Sequence, residues 1–342
     1  MVKLLLINYL NLKMEKFLIT GGCGFIGSWL AEELIRQNKK VIVIDDLSTG
    51  SIKNVLNIIN HPNFSLFIDS ILNRDIIEEL IKKVDFVFHL AAIVGVKKVI
   101  DYPIQSIIVN IEGTHNVLKF CEKYKKRVLI TSTSEIYGKN TNVPFNEDAD
   151  IVIGSTKKKR WSYACTKAID EFLSFAFYEE YNLPVIIVRL FNTVGPRQTE
   201  RYGMVIPRFV KQSLNGKDIT VFGDGEQSRC FIHVKDVVNC MVKLIEKEES
   251  YGDVFNIGSD KEIKIRDLAY LIKKITGSKS KIKFINPEEV YSKGFEDMER
   301  RIPDLSKIKK ILQFQPQYSI EDIINDVIEY YKKESFLSCY FF

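Results

Sequence analysis

Apolar residues follow two rhythms along this chain. In the first half, short apolar runs at 16–20, 40–45, 64–68, 85–90, 127–131 and 184–189 alternate with helical patterns at 25–37, 74–83, 103–124 and 161–181. The run Lys40-Val-Ile-Val-Ile-Asp45 has no polar alternation, as a strand covered on both faces requires. Strands alternating with helices predict an α/β fold: a doubly wound parallel sheet with helices on both faces. After Arg189 the rhythm changes. Helical patterns at 206–214, 235–247, 265–275 and 320–332 are separated by longer loops at 192–202, 223–228 and 287–303. They predict a smaller, mixed α/β C-terminal domain. With no linker between them, residues 14–190 and 191–342 should pack tightly, and a strand or helix of the second part can return to the first.

Residues 2–12 are apolar but too short to cross a bilayer, and no small-residue cleavage site follows them. Met14 stands just before the first strand, so residues 1–13 read as an extension and Met14 as the expected start. No other run reaches membrane-spanning length. The net charge of +5 is spread along the chain, which argues against a nucleic-acid partner. Only Lys157-Lys158-Lys159-Arg160 is concentrated. It reads as a solvated loop, although it lies close to chemistry described below. The six cysteines form no C-x-x-C pair, and Cys230 and Cys240 are the only close pair. Reduced thiols in a cytoplasmic protein, with no metal site, are therefore expected.

The turn Thr20-Gly21-Gly22-Cys23-Gly24-Phe25-Ile26-Gly27 leaves the first strand and opens a helix. Glycines at this spacing let the backbone approach a pyrophosphate, which then meets free N–H groups at the positive end of the helix dipole. Asp45 ends the second strand about twenty residues on, where a carboxylate accepts hydrogen bonds from ribose hydroxyls and repels a 2′-phosphate. The pattern predicts a Rossmann dinucleotide site that prefers NAD to NADP. Asp46 is the alternative carboxylate.

Tyr163-Ala164-Cys165-Thr166-Lys167 puts a phenol and an ammonium on one helix face. A phenol titrating near pH ~10 is a poor base unless a positive charge lowers its pKa. Lys167 and a nicotinamide are expected to supply that charge. Thr131-Ser132-Thr133-Ser134-Glu135 follows the fifth strand, at the carboxyl edge where such sheets bind ligands, and Thr133 can bond the hydroxyl that Tyr163 deprotonates.

Together these motifs resemble the extended short-chain dehydrogenase/reductase family of nucleotide-sugar epimerases, dehydratases and decarboxylases, over residues 15–335. Further landmarks are His89-Leu90-Ala91-Ala92, Asn110 in Asn-Ile-Glu-Gly-Thr, Arg189-Leu190-Phe191-Asn192, Gly195-Pro196-Arg197, Val205-Ile206-Pro207-Arg208, Gly223-Asp224-Gly225, the run from Arg229 to Asp236, and Arg300-Arg301-Ile302-Pro303-Asp304. The resemblance implies a Rossmann domain with a substrate domain, and a homodimer. It implies Thr133, Tyr163 and Lys167 as catalytic residues. For the cofactor it implies Gly21, Gly24, Phe25, Ile26, Gly27, Asp45, Asp69, Ser70, Leu90, Ala91, Ala92 and Asn110, joined by Tyr163 and Lys167. Asn192, Arg229 and Arg301 would hold the pyrophosphate of a nucleotide-diphosphate sugar, with Ser134 also facing the substrate; guanidinium forks suit phosphate oxygens.

Reactions in this family open with oxidation of a sugar hydroxyl, usually at C4, and diverge afterwards. Family 4,6-dehydratases usually carry Thr-Asp-Glu, whereas this chain has Ser134 at the acid position. UDP-glucuronate decarboxylases resemble Thr-Ser-Glu, with Glu135 assisting chemistry. The stretch from Gly195 to Phe209 looks more like that of epimerases. The first expectation is therefore a 4-epimerase, the alternatives a UDP-glucuronate decarboxylase or a 4,6-dehydratase. A non-catalytic NAD sensor is disfavoured by the presence of both Tyr163 and Lys167.

Overall fold

The computed structural model describes residues 14–200, 204–286, 289 and 298–340. The 1–13 extension, Tyr202 and most of the 287–297 loop lie outside the described residues. Six strands with their helices build the first part: β1 (Lys16–Thr20), α1 (Phe25–Arg36), β2 (Lys40–Asp45), β3 (Phe64–Ile68), α2 (Arg74–Lys82), β4 (Phe86–His89), α3 (Val96–Asp101), α4 (Pro103–Lys123), β5 (Arg127–Thr133), α5 (Trp161–Tyr181) and β6 (Val185–Leu190). The remainder holds β7 (Thr193–Val194), α6 (Val205–Leu214), β8 (Ile219–Phe222), β9 (Ser228–Cys230), β10 (Ile232–His233), α7 (Val234–Leu244), β11 (Asp253–Ile257), β12 (Glu262–Lys264), α8 (Ile265–Thr276), β13 (Ile282–Ile285), α9 (Ser306–Leu312) and α10 (Ile320–Tyr340).

The central sheet has the order β11-β6-β5-β4-β1-β2-β3, and every pairing in it is parallel. This is the Rossmann-like doubly wound fold. Strand order reverses between β1 and β4, and the crevice at that switch point is where such sheets bind ligands. The sheet interior is apolar on both faces. Phe17, Ile19, Val43, Phe86 and Phe88 pack on the side of α1 and α7, whereas Leu18, Ile44, Val87, Ile130 and Ile187 pack towards α2 and α4. At ~25 cal/mol per Å² of apolar surface, such burial is the main stabilising term.

The C-terminal half returns to this core. β11 pairs with β6 in parallel from Asp253↔Ile186 to Ile257↔Leu190, while α7 and α9 bury Val237, Met241 and Ile308 in the core under α1. A separate cluster around Phe209, Val221, Leu268 and Ile324 holds α6, α8 and α10 together. The cleft runs between that cluster and the carboxyl ends of the strands.

Candidate active site

The site begins at the bend after β1. Gly21 has φ +72°, and a Cβ there would lie 2.9 Å from the Ala91 backbone. At Gly27 a Cβ would meet the Gly21 carbonyl oxygen at 2.3 Å. Only glycine permits this closeness. Gly24 caps α1 with no side-chain hydrogen bond, so the first helical N–H groups remain available on the cleft side.

Asp45 closes the cradle. Its Oδ2 accepts the Cys23 N–H at 2.9 Å and its Oδ1 the Leu47 N–H at 2.8 Å. Burial raises its carboxyl pKa, and the backbone N–H groups of Leu47, Cys23 and Gly24 oppose that. Asp46 is exposed and accepts the Ser48 N–H, so Asp45 is the carboxylate built into the turn. A bend that a Cβ would fill, free helix N–H groups and a carboxylate one strand over fit a dinucleotide.

One cavity of about 1100 Å³ contains this bend and the catalytic residues. Its walls include the expected Gly21, Gly24, Phe25, Ile26, Gly27, Asp45, Asp69, Leu90, Ala91, Ala92, Thr133, Glu135, Tyr163, Lys167, Asn192, Arg229 and Arg301. Three expected residues stand off the wall. Asn110 is buried and its amide serves the loop after β4: Oδ1 accepts the Ile93 N–H at 2.8 Å, and Nδ2 donates to Thr166 Oγ1 at 3.2 Å. Ser134 is buried beneath the surface of the cleft. The Ser70 hydroxyl accepts the Leu72 N–H and shapes its own turn.

Thr133 ends β5, and its hydroxyl accepts the Glu135 N–H at 3.2 Å while also bonding the Tyr163 phenol. The expected lowering by Lys167 is not what the structure shows. Burial pushes the Tyr163 phenol up, and the Glu135 and Asp170 carboxylates push it the same way; the bond to Thr133 opposes them. Lys167 Nζ instead donates to Asp170 Oδ2 at 2.9 Å, with both side chains buried. One helical turn of spacing puts that carboxylate on the same inward face as the lysine.

Glu135 is the electrostatic centre of the site. Arg160 and Arg301 contact its two oxygens at 3.2 and 2.7 Å. Burial alone would raise its pKa, but the guanidiniums of Arg301, Arg160 and Arg229 overcome it and hold the carboxyl at about 2. Arg160, from the run read as a solvated loop, is thus a buried wall residue. The signal for it was faint: it sits three residues before Tyr163 and next to Trp161, which packs so closely on Gly154 that a Cβ there would meet the indole Nε1 at 2.1 Å.

Beneath the site lies a second buried polar network. Arg189 on β6 bonds Glu171 on α5 at 3.0 and 2.8 Å, the Tyr137 hydroxyl at 3.0 Å and the Glu147 carbonyl at 2.8 Å. Tyr137 donates to Asn256 on β11 at 2.8 Å, and Asn256 Nδ2 donates to the carbonyls of Phe145 and Asp304. The segments carrying Glu135 and Arg301 are therefore tied to one scaffold.

The glycine bend, the Tyr163–Thr133 pair and the arginine cluster lie in one cleft, and a family model described as GDP-mannose 4,6 dehydratase matches residues 18–327. The chain belongs to this family. It is the nucleotide-sugar epimerase, dehydratase and decarboxylase branch of the extended short-chain dehydrogenase/reductases. Among curated relatives, the chain is 42% identical over 320 residues to a UDP-N-acetyl-alpha-D-glucosaminuronate decarboxylase of Bacillus cytotoxicus, covering 93% of this chain and 98% of that one. It is 35% identical to the UDP-glucuronic acid decarboxylase 1 of Xenopus tropicalis, covering 94% and 73%. Among solved structures, it resembles the UDP-glucose 4-epimerase of Thermotoga maritima, solved with UDP-glucose, with a TM-score of 0.85, 31% identity and coverage of 94% and 99%. Among the described residues of this family member no helix is long and apolar enough to cross a membrane, and none of their His, Cys, Asp and Glu side chains forms a group that could hold a metal ion.

Proposed function

We propose that this protein is an NAD-dependent decarboxylase of a UDP-linked hexuronic acid, with an N-acetylated glucosaminuronate the first substrate to test. The observation that carries this reading is the convergence of Arg160, Arg229 and Arg301 on Glu135 beside Tyr163. Two guanidiniums suffice to face a pyrophosphate. The third, Arg160, lines the same cavity as Tyr163, and together the three guanidiniums outnumber the one carboxylate of Glu135, which suits a substrate that brings a carboxylate as well as a diphosphate. The names of the two curated relatives above point the same way, so the alternative drawn from sequence fits better than the epimerase expected first.

The cradle of Gly21, Gly24, Gly27 and Asp45 would hold the dinucleotide, with the nicotinamide end towards Tyr163. When bound, NAD supplies the hydride acceptor that turns the C4 alcohol into a ketone and later returns the hydride. Tyr163 takes the C4 hydroxyl proton and gives it back at the end, with Thr133 fixing the direction of the phenol. A ketone at C4 is β to the C5 carboxylate, so its oxygen accepts the electron pair released as CO2 leaves; C5 is then protonated. Arg160 and Arg301 position the carboxylate and the diphosphate. An ionised Glu135, held at about 2, is an acceptor and not an acid. Ser134 stands where 4,6-dehydratases usually carry an aspartic acid, which supports decarboxylation over 4,6-dehydration.

The residues after 190 would bind mainly the nucleotide sugar, through Asn192, Arg229 and Arg301. A homodimer is supported by an exposed apolar face on two packed helices, with Ile104, Ile107 and Ile108 on α4 and Ile169 and Phe172 on α5. A cytoplasmic site is supported by the free thiols of Cys23, Cys121, Cys165, Cys230 and Cys240 among the described residues. The test is incubation with UDP-N-acetylglucosaminuronate, UDP-glucuronate, UDP-glucose and UDP-N-acetylglucosamine, with products read by NMR. A UDP-pentose from a uronate supports the reading; turnover of the neutral sugars alone overturns it.

A further inference from the structure

A buried thread of polar side chains runs behind the cleft. Thr20 Oγ1, at the end of β1, accepts the N–H groups of Leu90 and Ala91, both at 3.2 Å. Its own proton is then directed to His89 Nδ1 at 2.8 Å. That leaves the His89 proton on Nε2, which faces Thr114 Oγ1 on α4 at 3.1 Å. Burial lowers the His89 pKa to about 3, and the Lys167 ammonium adds to the effect, so the imidazole is neutral, as this tautomer requires. The Thr114 hydroxyl in turn faces the Asp170 carboxylate and favours its ionised form, and Asp170 Oδ2 receives Lys167 Nζ at 2.9 Å. Thr20, His89, Thr114, Asp170 and Lys167 are all at most 2% exposed. The thread ends on one carboxylate, which also takes the Lys167 ammonium.

We propose that Asp170 is a positioning residue: it anchors the ammonium of Lys167 and ties the catalytic helix, through Thr114 and His89, to the glycine bend that receives the dinucleotide. The anchor also balances charge. Asp170 sets a buried negative charge against the Lys167 ammonium, and that charge favours the protonated phenol of Tyr163. The other charges facing this group are accounted for elsewhere. Glu171 on the same helix is paired with Arg189 on β6, and Glu135 with Arg160 and Arg301. His89 on β4 is neutral, and Thr114 on α4 and Thr133 on β5 bring hydroxyls only.

The inference rests on Tyr163 and Lys167 as the reacting pair, but not on which sugar is turned over, so its test uses no sugar. In NAD-loaded enzyme carrying 13C at tyrosine Cζ, the Tyr163 signal is identified by its loss in Tyr163→Phe and followed against pH. Asp170→Asn keeps an acceptor for Lys167 while removing the charge, and the Tyr163 midpoint should move down by about one pH unit. Asp170→Glu, which keeps the charge, should leave the midpoint at its wild-type position. If Asp170→Asn does not fold, Asp170→Ser removes the same charge with a smaller polar group and should give the same downward movement. A midpoint that stays in place or rises in the charge-removing variant overturns the proposal. A failure of the decarboxylase reading would appear only in the product assay.

Discussion

Glu135→Gln removes one charge from a site that holds it with three guanidiniums. The fall of the Glu135 pKa from 4.5 to about 2 corresponds to roughly 3 kcal/mol in favour of the ionised folded form. Its side chain is only 17% exposed, so solvent screening removes little of that. In the ligand-free variant Arg160 and Arg301 lose their carboxylate and face each other across a neutral amide, a cost of the same order. For a chain of this length, ~3 kcal/mol lowers Tm by roughly 5 °C. The sign with ligand is opposite. A site with one negative charge fewer attracts a diphosphate more strongly, so saturating UDP should raise the Tm of the variant by more than that of the wild type. The pH dependence follows from the same linkage. A depressed carboxylate contributes its stability in full above about pH 4.5 and loses it as pH falls towards 2, so the gap between the proteins should close over that window. Differential scanning fluorimetry at several pH values, with and without UDP, checks all three. A variant as stable as the wild type at pH 7, or one that gains less from UDP, refutes the electrostatic account of the site.

Tyr163→Phe should lose about 10²–10⁴ in turnover, the ordinary worth of a general base, while binding NAD as tightly as the wild type in calorimetry. Gly27→Val would drive a side chain into the Gly21 carbonyl, 2.3 Å from where its Cβ must stand, and should abolish NAD binding. Arg160→Met should raise KM for a UDP-uronate by at least tenfold and leave the affinity for free UDP nearly unchanged, which separates a contact to the sugar carboxylate from one to the diphosphate. Phe172→Glu, at a side chain 69% exposed on α5, should shift the protein from dimer to monomer in light scattering.

Much of the fold was legible because the parallel sheet writes itself as unbroken apolar runs. β1, β2 and β3 and the helix Trp161–Tyr181 have the bounds read from the pattern. β11 was not legible. Its five residues, Asp-Val-Phe-Asn-Ile, carry two polar side chains, and Asn256 is buried only because Tyr137, Glu147 and Phe145 supply partners from distant segments. The glycine bend and Asp45 were legible because spacing along one strand–turn–helix–strand unit dictates them, and Thr133 and Tyr163 because each sits in a short local motif, at the end of β5 and near the start of α5. Two other features depend on contacts between elements. Arg160 looked like the end of a solvated basic run until Glu135 was placed opposite it. Lys167 looked free to serve the phenol until Asp170, one turn along the same inward face, was seen to take its ammonium.

The central claim is that the arginine cluster receives a sugar carboxylate that the reaction then expels. It is tested most directly with UDP-N-acetylglucosaminuronate labelled with 13C at the carboxylate, incubated with enzyme and NAD in a sealed tube. The label should leave the sugar and appear as 13CO2 and bicarbonate, one per UDP-sugar consumed, with no net NADH. A label that stays on a uronate of unchanged mass and altered C4 configuration would contradict the account and return the enzyme to the epimerases.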